Sequence, residues 1–258
     1  MKIEALKGKN PQELRRVFRA GEWTESTGGL ATKYLQANLV VLSSNLADDF
    51  LKFCQANPKP CPLVDVSEPG GTEFSSTPGS NFYTDLPKYR VIEAGEPKES
   101  PVDIETYYSE GSVGFLLGCS VTFERALVAA GVPVRHLAAG TTAPMYITSM
   151  DCVPIGPLNG PKVVTMRAIP EHLIDRAVEI TAAMPEAHGA PIHIGDPREI
   201  GVDLSQPDYG DPPIVEKGDV PVFWGCGVTP QEVARASGID MITHFPGAMF
   251  ITDREMES

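Results

Sequence analysis

The 258 residues carry 34 acidic against 21 basic side chains, a net charge of −13, and 42% of them are hydrophobic. That balance supports a full buried core but repels a polyanion such as DNA or RNA, and no Lys/Arg cluster offsets it. No apolar run reaches the roughly 18–20 residues of a membrane span, and MKIEALKGKNPQELRR lacks the apolar core of a secretory signal, so a cytoplasmic protein with no membrane partner is expected.

In chain order, Asn10-Pro11 opens a helix over QELRRVFRAG, with Gly21 at its stop. Residues 22–37 are polar and mixed and read as a second short helix ending near Gln36. NLVVLS (38–43) reads as a buried strand. Asn45 then caps LADDFLKFCQAN, which sets Leu46, Phe50, Phe53 and Cys54 on one face. Alternating prolines in NPKPCP (57–62) end that helix. LVDV (63–66) is a short strand, SEPGGTEFSSTPGS (67–80) a loop, 88–94 a strand and GEPKESP a turn.

From residue 112 the pattern becomes strand, tight turn, helix: VGFLLG, CSVT, then FERALVAAG stopped by Gly131. PVRHL and APMYITSM both read as strands. Residues 160–200 read as a small α+β unit: a strand KVVTMRAI, a helix EHLIDRAVEITAAM and a strand-like PIHIG. SQPDYGDPP (205–213) reads as a linker, and the chain closes with VPVFWG, a helix and MITHFPGAMFITD. The expected architecture is α/β: a discontinuous domain of residues 1–140 and 213–258, with 141–212 inserted as a smaller α+β domain.

The chain repeats itself. GCSVTFERALVAAG (118–131) and GCGVTPQEVARASG (225–238) agree at six of fourteen positions. His136 follows Cys119 by 17 residues and His244 follows Cys226 by 18; APMYIT (143–148) then answers GAMFIT (247–252). Two strand–turn–helix units around one sandwich domain are the expectation. Each helix begins just after its cysteine, so free N–H groups and the helix dipole face the turn. Such turns bind carboxylates and favour a thiolate. A cysteine there reads either as a packed small thiol or as a nucleophile, and the sequence leaves both open. Thr229-Pro-Gln-Glu232 has the form of a capping box, so Thr229, like Thr122, reads as a cap. HGAPIHIGD (188–196) lacks a third ligand at metal spacing, and no metal or cofactor is expected. The odd count of five cysteines, without a Cys-x-x-Cys pair, argues against a disulfide framework.

Long blocks carry a resemblance: FRAG (18–21), QANLVVL (36–42), DFLKFCQANPKPCPLVDVSEPG (49–70), TDLPKYRV (84–91), FLLGCSVTFERAL (115–127), HGAPIHIGDP (188–197), VPVFWGCGVTPQ (220–231) and ITHFPGAMFITD (242–253). Over nearly its whole length the chain resembles the bacterial hydro-lyases related to animal D-glutamate cyclase. The resemblance implies an α/β sandwich with a smaller α+β domain, loss of water from a small amino or hydroxy acid, and conversion of D-glutamate to 5-oxo-D-proline in the animal relatives. On this basis His136, His244, Cys119 and Cys226 are the candidate catalytic residues. Ser120, Gly227, Thr122 and Thr229 at the turns, with Arg90 as a charge clamp and Asp85 and His193, are the candidate substrate contacts. The partner is a small carboxylate substrate, and a homodimer is compatible with the chain. A cysteine-dependent racemase or epimerase, and a non-catalytic small-acid-binding regulator, are the alternatives.

Overall fold

Local rules start the chain. Asn10 accepts from the Glu13 N–H and the Glu13 carboxylate accepts from the Asn10 N–H, both at 2.9 Å, capping α1 (Pro11–Arg19) at both donors. The computed structural model describes residues 3–107 and 110–256. β1 (Tyr34–Leu42) is buried along almost its whole length, with the period of two that a strand imposes. Val40 and Leu42 meet Phe50, Phe53 and Cys54 of α2 (Ser44–Ala56), whereas Ala37, Leu39 and Val41 face Phe74, Phe82 and Phe250. The strand takes over the end of the segment expected to be helical. Tyr34 and Gln36 pair with Glu255 and Ile251, and these ladder bonds outweigh local propensity.

β1 organises a seven-stranded sheet in the order β2 (Leu63–Val66), β5 (Val113–Gly118), β1, β10 (Met241–His244), β3 (Tyr89–Glu93) and β4 (Glu96–Glu99), with β11 (Phe250–Glu255) also on β1. The segment expected as a mere turn after β3 is a hairpin. Ala94 and Gly95 both adopt positive φ (49° and 81°), the two-residue turn that matches strand twist. A second sheet has the order β6 (Met145–Asp151), β7 (Pro161–Pro170), β9 (Asp219–Gly225) and β8 (His193–Ile194). Every pairing in both sheets is antiparallel. The fold is thus mixed α/β, with two antiparallel sheets and helices against them. Residues 213–258 serve both sheets, since β9 lies in the second and β10 and β11 in the first.

α3 (Val121–Ala129) and α5 (Ile174–Ala182) cover one face of the second sheet, where Phe123, Leu127 and Ala177 bury Val222 and Trp224. α6 (Thr229–Ser237) sends Val233 and Ala234 into the core under α2. The sheets interlock through these connections: β5 leads by α3 to β6 in the second sheet, and β9 leads by α6 to β10 and β11 in the first. A β-carbon at Gly118 would collide with the Glu186 carbonyl, and one at Gly225 with the Lys59 carbonyl, so each turn needs glycine where it abuts the other sheet's loop. PVRHL is not a strand. Residues 135–139 form a short helix, α4 (Arg135–Ala139), closed by Gly140 in a left-handed C-cap. Arg135 anchors it through two bonds to Asp219 (2.6 and 2.7 Å). Among the described residues no helix is long and apolar enough to cross a membrane.

Candidate active site

Both Gly-Cys turns end strands that point at one cavity of about 140 Å³ between the sheets, lined by Cys119, Ser120, Cys226, His136 and His244 among others. The two turns are built alike. The Val121 N–H bonds to the Cys119 sulfur and the Val228 N–H to the Cys226 sulfur. Asn38, from the middle of β1, donates to the Gly118 and Leu117 carbonyls (2.7 and 3.3 Å) and packs on Gly227, where a β-carbon would strike its amide. Gly227 thus serves the site by admitting Asn38, although it does not itself line the cavity.

Burial opposes the thiolate that the helix starts favour. It pushes the Cys226 thiol up to about 12, against the opposing Val228 N–H, with the Cys119 sulfur as a further unfavourable neighbour. Burial likewise raises Cys119, despite the Val121 N–H, the Arg167 charge and Asn38. Dehydration costs an anion more here than the helix starts return, so both sulfurs are neutral thiols at pH 7. His244 is 1% exposed, and burial lowers its pKa to about 4. Its Nδ1 faces the Leu39 carbonyl at 3.4 Å, which only accepts, so Nδ1 carries the proton and Nε2 is an acceptor. His136 comes from α4, not from a strand. Its Nε2 lies 3.0 Å from Glu124 Oε1.

The other candidates lie outside the cavity. Thr229 is not a cap: α6 begins at it, and its hydroxyl donates to the Cys226 carbonyl (2.7 Å) while accepting from the Val163 N–H (3.1 Å), tying the turn to β7. Thr122 faces a neighbouring groove with Tyr34 and Gln36. Arg90 bonds to Gln231 (2.9 Å) and stacks on Phe245 at 5.0 Å. Asp85 is fully buried in a fork from Arg19 (2.8 and 2.9 Å). The His193 ring contacts the Asp196 carbonyl at 2.8 Å.

Among the pocket residues that escaped sequence reasoning, Asn38, Glu124, Thr165 and Arg167 carry the polar contacts that shape the wall. A signal existed. Thr165 and Arg167 are polar residues two apart in the apolar strand KVVTMRAI, and so share a face. Ser120 and Glu124 are four apart at the start of α3, one turn of a helix. Arg167 donates to Glu124 through Nε (2.9 Å) and Nη2, to Thr165 Oγ1 (2.6 Å) and the Met166 carbonyl (3.2 Å) through Nη1, and to Ser120 Oγ (3.2 Å) through Nη2. Burial pushes the Glu124 carboxyl up, but Arg167 and His136 outweigh it and hold its pKa below the ordinary carboxylate value.

Residues 113–253 match the family model described as D-glutamate cyclase. A "Putative hydro-lyase" of Geobacillus kaustophilus is 54% identical over 94% of this chain and 93% of its own. Others so named are 49% identical in Stutzerimonas stutzeri (98% and 97% covered) and 50% identical in Bacillus velezensis (96% of each). Among solved structures, a nitrogen repressor-like protein from Methanococcus jannaschii superposes with a TM-score of 0.39 at 10% identity, covering 90% of this chain and 91% of that one, a likeness too low to carry an argument.

Proposed function

Because this chain belongs to the D-glutamate cyclase family, we propose that its central pocket removes water from a small carboxylate substrate, with D-glutamate closing to 5-oxo-D-proline as the reaction to test first. The observation that carries this reading is the convergence of both Gly-Cys turns, His136 and His244 on one small cavity. The relatives named hydro-lyase supply the reaction class. We read the two units as an internal duplication, β1–α2–β2–β5–α3–β6 against β7–α5–β8–β9–α6–β11, so that equivalent turns face one another across the substrate.

In the cyclisation the amine attacks the side-chain carboxyl, a carbon–nitrogen bond forms and a carbon–oxygen bond breaks. Of the three ammonium protons one stays on the amide nitrogen, and two leave with the departing oxygen as water. His136 is the group that takes a proton from nitrogen and returns it to oxygen. His244, held neutral, offers Nε2 as an acceptor for the ammonium. The Ser120 hydroxyl, which accepts from Arg167 and so keeps its own hydrogen to give, donates to a carboxylate oxygen, and the two neutral thiols act as weak S–H donors beside it. Purified protein should release 5-oxo-D-proline from D-glutamate. A folded protein with no turnover on D-glutamate or other small amino acids sinks this reading.

A second reading follows from the paired thiols alone. A racemase or epimerase would deprotonate the α-carbon with one sulfur and reprotonate it with the other. Deuterium wash-in at the α-carbon without loss of water would favour it. Full activity in Cys119→Ser and Cys226→Ser proteins would remove it.

A further inference from the structure

Water elimination as described leaves a buried charge pair on the pocket wall without a part. Glu124 and Arg167 are each 2% exposed. An Arg has five N–H donors, and here they meet Glu124 twice, Ser120, Thr165 and the Met166 carbonyl. The guanidinium is therefore satisfied within the protein and does not serve as a clamp for a substrate carboxylate. What it does is hold Glu124, whose Oε1 lies 3.0 Å from His136 Nε2. An ionised carboxylate can only accept, so the ring nitrogen facing it must carry the hydrogen.

That bond matters because of the helix His136 stands on. α4 has five residues, and Leu137 is 47% exposed, as residues 138–140 are exposed too, so packing alone does little to fix it. A side-chain tether is then needed to aim the ring. We propose that Glu124 is the positioning residue for His136: its carboxylate takes the Nε2 hydrogen, sets the tautomer and leaves Nδ1 as the proton acceptor, while Arg167 holds the carboxylate in place. The role matches the general logic of a carboxylate orienting a catalytic imidazole. It rests on the water-elimination reading only for what Nδ1 then does to the substrate.

The test is long-range proton–nitrogen NMR on protein labelled with 15N-histidine, with the His136 ring assigned by the signals lost in His136→Gln among five histidines. Wild type should show His136 as the Nε2–H tautomer at neutral pH, and Glu124→Gln should show a mixture. A wild-type Nδ1–H ring overturns the proposal, and this decides the matter even where Glu124→Gln fails to fold. In a folded Glu124→Gln protein kcat should fall about a hundredfold or more with KM changed less than about threefold; unchanged kcat overturns it. If no water loss occurs on any substrate but the tautomer is Nε2–H and depends on Glu124, the positioning role stands and the proposed reaction fails.

Discussion

Arg167→Met removes one member of a buried charge pair. Both side chains are 2% exposed, so the substitution strands the Glu124 carboxylate away from water and leaves Ser120 and Thr165 without a donor. Breaking a buried pair from one side costs about 3–5 kcal/mol. At roughly 2–4 °C per kcal/mol for a chain of this size, the melting temperature should drop by about 6–20 °C. Glu124→Gln/Arg167→Met should lose less than Arg167→Met alone, because no charge is then left behind. The pH dependence adds a signature. In wild type the Glu124 pKa is depressed, so its stabilisation is present above the unfolded value and lost as pH falls through the folded one. In Arg167→Met burial acts unopposed by that guanidinium and raises it, so the deficit relative to wild type should shrink as pH drops from 7 towards 5. Thermal unfolding of wild type, Glu124→Gln, Arg167→Met and the double variant at pH 5 and 7 reads both effects. A loss under about 1 kcal/mol in Arg167→Met, or effects of the two substitutions additive within about 0.5 kcal/mol, would show that Glu124 and Arg167 are not coupled as a buried pair.

Acid should destabilise the protein through two buried imidazoles. His188 and His244 both have pKa values lowered by burial to about 4, so the unfolded chain binds more protons between pH 6.5 and 4, and each site should cost about 3 kcal/mol across that window. Urea unfolding across pH 4–7 checks this, and a flat profile would contradict it. Cys226, held at about 12, should resist iodoacetamide at pH 7.5 in the folded protein and react on unfolding; rapid native labelling seen by mass spectrometry would refute a neutral thiol. Arg135→Ala removes the two bonds to Asp219 and should speed amide exchange in residues 135–140 while β5 and β7 stay protected. Unchanged exchange there would show that α4 does not depend on this anchor.

Strands buried on both faces were the most legible parts of the chain. VGFLLG falls on β5 because a continuous apolar run bounded by turn residues leaves little alternative, and LVDV falls on β2, which is only half-buried and carries Asp65. The helix at Asn10-Pro11 was equally plain, since its cap and its first turn are local chemistry. Segments decided by distant partners were not. Tyr34–Gln36 became strand by pairing with β11, and PVRHL became helix with Arg135 drawn to Asp219, more than eighty residues away in sequence. The site divides the same way. Cys119, Cys226, His136 and His244 were visible through the repeat, and all four line the cavity. Arg90, Asp85 and His193 stood out as charged or polar residues in distinctive blocks, yet each is engaged elsewhere. Glu124 and Arg167 were hidden because their meaning comes from one another, across α3 and β7. The protonation of the thiols was left open for a related reason: a helix start can be read from sequence, but the desolvation that opposes it cannot.

The central claim is water loss in the cavity between the two Gly-Cys turns. D-glutamate carrying 18O in its side-chain carboxyl, incubated with wild-type and His136→Gln protein, tests it most directly by mass spectrometry. Wild type should yield 5-oxo-D-proline that retains one of the two labelled oxygens, the other leaving in water, and His136→Gln should yield none above background. No product from folded wild type, or equal product from both proteins, would contradict it.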